Sequence, residues 1–285
     1  MNKLSSVAAL TLIIFLSSCK QEHEHNLSIE SKIDSLFQQW DKPNTPGAAV
    51  GVLKDGELIF AKGYGMANLE HNIPITSQTI FHIASESKQY TNFCIAMLAE
   101  AGKLSLDDDI RQYLPYVPDF GKTITIRHLI HHTSGLRDQW QLLSIAGTRI
   151  DDVIKQEHVI NLVKNQKELN FEPGSRYLYC NTGYTLLAEI VKAVSGKSLR
   201  DYAHENIFQP LGMHNTHFHD NYTEIVKGRA NSYTAIDSAT FRNSVLSYST
   251  VGATSLFTTI EDEAKWLNNF YTAEVGAEKL MAQMH

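Results

Sequence analysis

The apolar positions of the chain change period several times, and each change predicts a new element. Ile29, Ile33, Leu36, Phe37 and Trp40 fall on one helical stripe, so a helix is predicted from about Ser28 to Trp40, ended by Pro43–Pro46. The period then drops to two. Gly47–Leu53 and Glu57–Tyr64 are alternating runs joined by Lys54-Asp55-Gly56, and Asp-Gly between such runs predicts a tight hairpin. Phe81–Ala84 leads into a helix predicted over about 85–101, with Gly102 placed to stop it. Residues 104–135 are acidic and punctuated by proline before turning helical, 150–169 read as helix, and Pro173-Gly174 as a turn. A well-patterned helix covers Gly183–Ser195 and closes at Gly196, and two more are predicted near 199–207 and 260–271. Residues 214–259 are rich in turn formers and predict no element.

Two strands do not make a stable sheet in water, so the hairpin's apolar faces require further strands or helices. The expected class is α+β, an antiparallel sheet flanked by helices with an all-helical region inserted between the chain's two ends.

Composition places the chain among ordinary globular proteins: 285 residues, 43% hydrophobic and 20% charged, with a net charge of −6. An acidic balance gives no electrostatic reason to expect nucleic acid as a partner. The N-terminus departs from the rest. Lys3 precedes the apolar stretch Val7–Leu16, which is short for a membrane span, and Leu16-Ser17-Ser18-Cys19 follows directly. That sequence resembles a bacterial lipobox, which implies a signal peptide over 1–18, acylation of Cys19, and a protein exported to the cell envelope and held to the membrane by lipid. The polar stretch 19–27 reads as a linker, and 28–285 as the folded domain. Cys94 and Cys180 lie in apolar surroundings and read as small buried residues rather than a disulfide framework.

The candidate chemistry is Ser85-Glu86-Ser87-Lys88. A serine at the start of a helix with a lysine one turn later puts an alcohol, a positive helix end and an amine together. The alcohol becomes a useful nucleophile only when a base takes its proton, and a buried lysine can hold a lowered pKa for that purpose. The spelling alone is weak, since Ser17-Ser18-Cys19-Lys20 also fits it. Tyr-x-Asn likewise occurs twice. Tyr90 and Asn92 lie on the Ser85 helix, whereas Tyr179 and Asn181 are placed in a loop between a Pro-Gly turn and a helix, free to face a cleft. A helix N-cap for Ser85 and a core aromatic for Tyr179 are the competing structural readings.

Five phrases in order carry more weight than any one motif: FHIASESKQY (81–90), GKLSLDDD (102–109), ITIRHLIHHTSGL (124–136), FEPGSRYLYCNTGY (171–184) and PLGM (210–213). Together they resemble the serine β-lactamase-related family, which includes class C β-lactamases, D,D-peptidases and related esterases, over about residues 30–275. The resemblance implies a β-lactamase/transpeptidase-like fold and an acyl-enzyme reaction on a β-lactam, a D-amino-acid peptide or an ester. By the same resemblance Ser85 attacks the carbonyl, Lys88 and Tyr179 carry the proton, and Asn181 positions the substrate amide. No cofactor is implied, and the expected partner is a small-molecule or peptide substrate of a monomeric enzyme.

The family's third element, Lys-Thr-Gly or His-x-Gly on a later strand, has no counterpart here, because Lys54-Asp55-Gly56 is a hairpin turn upstream of Ser85. With the shortage of strands, this leads to the expectation of a chain cut short before its C-terminal strands. Two other functions stay open: a penicillin or cell-wall binder acylated at Ser85 without turnover, and an inactive truncated lipoprotein. A metal reading of the histidines is disfavoured. His128 and His132 lack the glutamate of H-E-x-x-H, the Glu22–His25 alternation reads as a solvated tether, and His214, His217 and His219 read as surface polar residues.

Overall fold

The computed structural model describes residues 28–284, so the predicted signal peptide over 1–18, Cys19 and the whole of the predicted linker lie outside the described residues. The chain divides at Gln38/Gln39. Before the division stands α1 (Ile29–Phe37), whose first turn is closed by the Ser28 hydroxyl accepting from the Ser31 amide.

After it comes the hairpin of β1 (Ala48–Lys54) and β2 (Glu57–Tyr64), antiparallel and in the register Lys54↔Glu57. Asp55 and Gly56 both take positive φ, 52° and 84°, as a tight two-residue turn between twisted strands demands. Short ladders follow. β3 (Met66–Asn68) pairs with β4 (Ile73–Pro74), and β5 (Phe81–His82) runs into the Ser85 turn. The helices are α2 (Ser87–Glu100), α3 (Ile126–Ile130), α4 (Gln139–Ile145), α5 (Gln156–Lys164), α6 (Asn181–Ser195) and α7 (Leu199–Ala203), the last continuing into a wide turn over His204–Phe208. β6 (His217–Phe218), β7 (Tyr233–Ala235), β8 (Phe241–Asn243) and β9 (Leu256–Thr258) precede α8 (Ile260–Thr272) and α9 (Ala277–Met284).

The expected α+β class holds, and every paired strand is antiparallel. Strand content is larger than the sequence predicts. The turn-rich stretch 214–259 supplies four strands, and β9 sits between β5 and β6 in a three-stranded ladder. Strands of two or three residues are too short to show a period, which is why the pattern misses them. The hairpin's apolar side is covered by α8, which packs on both β1 and β2. Gly51 lies beneath Ile260 there, and a Cβ on it would stand 3.2 Å from Leu58 and 3.7 Å from Ile260.

α6 is the hub of residues 39–284. Thr182 through Ala188 are buried without a break, so the helix is enclosed by neighbours rather than lying amphipathically on a surface. Those neighbours are α2, α3, α4, α5 and α7. α2 contributes Tyr90, Phe93, Cys94, Ile95 and Leu98, all fully buried, and Trp266 of α8 stacks on Tyr90 at 4.4 Å and meets Phe93 edge-on at 5.0 Å. Cys94 and Cys180 are buried free thiols, as expected from their surroundings.

Candidate active site

Ser85 lies in a single 3₁₀ turn, Ala84–Glu86, that feeds α2 from Ser87, so it stands just before the α-helix rather than inside it. Ala84 has φ +47°, an uncommon value for a residue with a Cβ, and the turn is tied down on both sides. Ile83 N donates to Leu256 O at 3.0 Å, and Ser87 Oγ donates to Ala84 O at 2.5 Å while accepting from Leu256 N at 2.9 Å. Ser87, the second serine of Ser-Glu-Ser-Lys, therefore fastens the Ser85 turn to β9.

Two donors converge on the Ser85 oxygen. Lys88 Nζ lies 3.0 Å away and Tyr179 OH 2.8 Å away. Ser85 itself is exposed, so its oxygen is held from within and open to a reactant from outside. Lys88 is 7% exposed, and its remaining two donors go to Asn181 Oδ1 at 3.0 Å and Ala253 O at 2.7 Å. All three N–H groups of an ammonium are thus accounted for. Burial lowers the Lys88 pKa to about 8, against the opposing pull of Asp138, Cys180 and Glu86. Its charge also lies 4.9 Å from the centre of the Tyr179 ring and 5.5 Å from that of Tyr184.

Tyr179 stands in irregular backbone, as predicted. Asn181 does not: it is the first residue of α6, with Cys180 as the cap. The helix predicted from Gly183 thus starts two residues earlier, because Asn181 and Thr182 are poor helix formers whose turn is held from outside. Asp138 Oδ2 accepts from Asn181 N at 2.6 Å and Asn181 Nδ2 at 2.9 Å, while Asp138 Oδ1 caps α4 by accepting from Trp140 N and Gln141 N. The Asn181 amide is therefore fixed with its oxygen toward Lys88. One Nδ2 hydrogen is spoken for and one is left over.

Sequence reasoning missed three contributors. Asp138 is buried and orients Asn181, and its signal in the sequence was an acidic residue just ahead of an unrecognised helix. His132, at φ +58°, accepts from Cys180 N through Nδ1 at 3.1 Å and lies against the Tyr179 ring at 4.5 Å. Burial first, then Lys88, lowers its pKa, which keeps the ring neutral with Nδ1 as acceptor. The third is Gly252-Ala253. Gly252 has φ +97°, and a Cβ there would stand 2.3 Å from Tyr184 O, so only glycine lets this segment approach α6 and deliver Ala253 O to Lys88. The other Tyr-x-Asn stays out of the site: Tyr90 is fully buried, its hydroxyl on Glu263 at 2.7 Å. His217 and His219 are not the surface residues expected. His219 is 3% exposed, because β6 turns both rings onto Phe257.

Comparison with known proteins gives this arrangement its setting. Over 169 residues the chain is 37% identical to a D-aminopeptidase of Brucella anthropi, covering 59% of this chain and 32% of that one. It is 33% identical over 186 residues to penicillin-binding protein 4* of Bacillus subtilis, covering 65% of this chain and 40% of the other. The chain thus spans about a third of the length of the curated relatives it matches. Among solved structures it is similar to an octameric penicillin-binding protein homologue from Pyrococcus abyssi, with TM-score 0.78 and 28% identity over 90% of this chain and 59% of that one. A penicillin-binding protein from Bacillus halodurans superposes with TM-score 0.71 at 29% identity, over 80% of this chain and 70% of the other. The fold is accordingly β-lactamase/transpeptidase-like. The beta-lactamase family profile matches residues 33–285, and the chain belongs to that family.

Proposed function

We propose that this chain is a serine hydrolase that cleaves amides through an acyl-enzyme on Ser85, with D-amino-acid amides and short peptides as its substrate class. The observation that carries this reading is the convergence of Lys88 Nζ and Tyr179 OH on Ser85 Oγ at 3.0 and 2.8 Å. In the proposed step the Ser85 oxygen bonds to the substrate carbonyl carbon and its proton passes to the neutral fraction of Lys88. The C–N bond then breaks. The leaving amine takes a proton from Tyr179, which Lys88 restores, and water hydrolyses the ester by the same route reversed. Asn181 holds Lys88 in line, and its spare Nδ2 hydrogen is available to a substrate carbonyl. The substrate class draws on the D-aminopeptidase relatives, since the site alone fits any carbonyl of suitable size.

The chain is further proposed to be exported and lipid-anchored at Cys19, a reading supported by Leu16-Ser17-Ser18-Cys19 after a short apolar run. Among the described residues no helix is long and apolar enough to cross a membrane.

The test is intact-mass spectrometry of the full chain after exposure to a fluorophosphonate and, separately, to a penicillin, beside Ser85→Ala, with amine release from D- and L-alanine amides measured in parallel. One adduct per chain, absent from Ser85→Ala, and faster release from the D-amide are expected. A fluorophosphonate adduct retained by Ser85→Ala, or none on demonstrably folded parent protein, overturns the assignment. A penicillin adduct that never decays, with no amide turnover, makes the protein a binder rather than an enzyme.

A further inference from the structure

Away from Ser85, one cluster of ligand-type side chains is unused by the chemistry above. His217 and His219 occupy alternate positions at β6, so both rings leave the same face while Phe218 between them fills the core. His217 Nε2 lies 3.4 Å from His219 Nδ1, and His219 Nδ1 lies 3.9 Å from Glu224 Oε2. The three ligand atoms all fall within 4.8 Å of one another, the one such group found among the described residues. We propose that His217, His219 and Glu224 form a two-histidine, one-carboxylate site for a divalent transition-metal ion of the zinc type.

The spacing carries the argument. An N–H···N hydrogen bond between two imidazoles would sit near 3.0 Å, so 3.4 Å is long for one. Two nitrogen ligands at about 2.05 Å from a tetrahedral zinc ion stand about 3.3–3.4 Å apart. The histidines already have the separation the ion requires, and Glu224 Oε2 stands about half an ångström too far from His219 Nδ1 in a group whose ligand atoms all lie within 4.8 Å, so closure around an ion is a side-chain movement of the carboxylate.

The supporting residues are placed as a metal site needs them. His219 N donates to Ser255 O at 2.8 Å, and β6 is paired to β9, which fixes the backbone of both histidines. Arg200 grips Glu224 through both oxygens, at 2.6 and 2.8 Å, and also Asp220 at 3.0 Å. A carboxylate oxygen has two lone pairs, so Oε2 can accept from Arg200 and still face an ion. Asp220 and Glu224 balance the positive charges of Arg200 and Arg229 nearby. A cavity of about 430 Å³, lined in part by His217, Glu224, Arg200 and His214, opens on the cluster and gives an ion its way in. His82 is not a ligand, since its Nε2 already meets Thr254 Oγ1 at 3.0 Å and Ser255 N at 3.2 Å.

The experiment is calorimetric titration of the full chain with Zn²⁺ alone, in a His23→Gln/His25→Gln background so that the Glu22–His25 tether contributes nothing. Co²⁺ substitution adds a visible spectrum that reports nitrogen ligation. One Zn²⁺ per chain is expected, with affinity at least tenfold weaker and the cobalt spectrum altered in His217→Gln and in Glu224→Gln, and unchanged in His214→Gln. Glu224 is partly exposed, so its variant remains informative if His217→Gln fails to fold, which metal-free thermal melts would show. No zinc retained by the folded parent, or equal affinity in parent and Glu224→Gln, overturns the site.

Discussion

If Lys88 is the base that acylation uses, the reaction must follow the ionisation of one amine. That amine sits at about 8, down from an ordinary 10.5, a displacement worth about 3 kcal/mol against the charged form and caused first by burial. About a tenth of the molecules then carry neutral Lys88 at pH 7, half at pH 8 and about nine-tenths at pH 9. The second-order rate of Ser85 labelling by a fluorophosphonate should therefore rise about tenfold from pH 7 to pH 9 and level off. An unshifted lysine would give a rise of about a hundredfold over the same span with no plateau. The perturbation that tests the cause is Asp138→Asn. Asp138 heads the charges that favour Lys88 in its cationic form, so removing it should move the midpoint below 8. The same variant keeps one side-chain oxygen where Asp138 uses two, so it cannot serve both the α4 cap and the Asn181 N and Nδ2 donors, and the plateau rate should drop as well. A rate that falls through pH 8 would refute the reasoning, because it would mean that the cation is required and another group is the base. A midpoint unmoved by Asp138→Asn would refute the electrostatic half of it.

Two further outcomes follow from particular contacts. Gly252→Ala drives a methyl against Tyr184 O at 2.3 Å and needs φ near +97°, so urea titration should show a loss of about 3 kcal/mol or more, and labelling of the remaining folded protein should slow as Ala253 O leaves Lys88; a variant within about 0.5 kcal/mol of the parent would sink this account. Glu263, raised to about 7 mainly by burial, contributes stability in full below its unfolded value near 4.5 and loses it as pH rises through 7. Glu263→Gln keeps an acceptor for the Tyr90 hydroxyl, so it should stabilise the protein by about 3 kcal/mol at pH 8 and by nothing measurable at pH 4. Thermal melts at the two pH values decide it, and equal effects at both would count against a titrating carboxylate.

What could be read from the sequence divides along a physical line. The hairpin was legible because Asp55-Gly56 encodes its own turn, and α2 and α6 because long runs without a breaker end at Gly102 and Gly196. Ser85 and Lys88 were legible because one helical turn separates them, and Tyr179 because a Pro-Gly turn and a helix bracket it. The partners that complete the site were not, since they are long-range and mostly backbone. Ala253 O reaches Lys88 across 165 residues and is not a side chain at all. Asp138 caps a helix that the pattern did not predict, and nothing in its neighbourhood named Asn181, 43 residues on, as its second partner. β6 and β9 are two and three residues long, below the length at which alternation means anything.

The three acceptors of Lys88 come from the Ser85 turn, the start of α6 and the segment before β9, which are remote in the chain and meet only in the finished fold. A nascent or partly unfolded chain has at most the first, which lies three residues away, and lacks the other two. Its lysine there is an ordinary hydrated ammonium and its serine an inert alcohol, so chemistry at Ser85 switches on with the last long-range closure rather than with the formation of α2. A newly made molecule is thereby shielded from premature acylation. For the experimenter, covalent labelling of Ser85 counts completed molecules: its extent measures the native fraction of a preparation, independent of any spectroscopic signal from helix content.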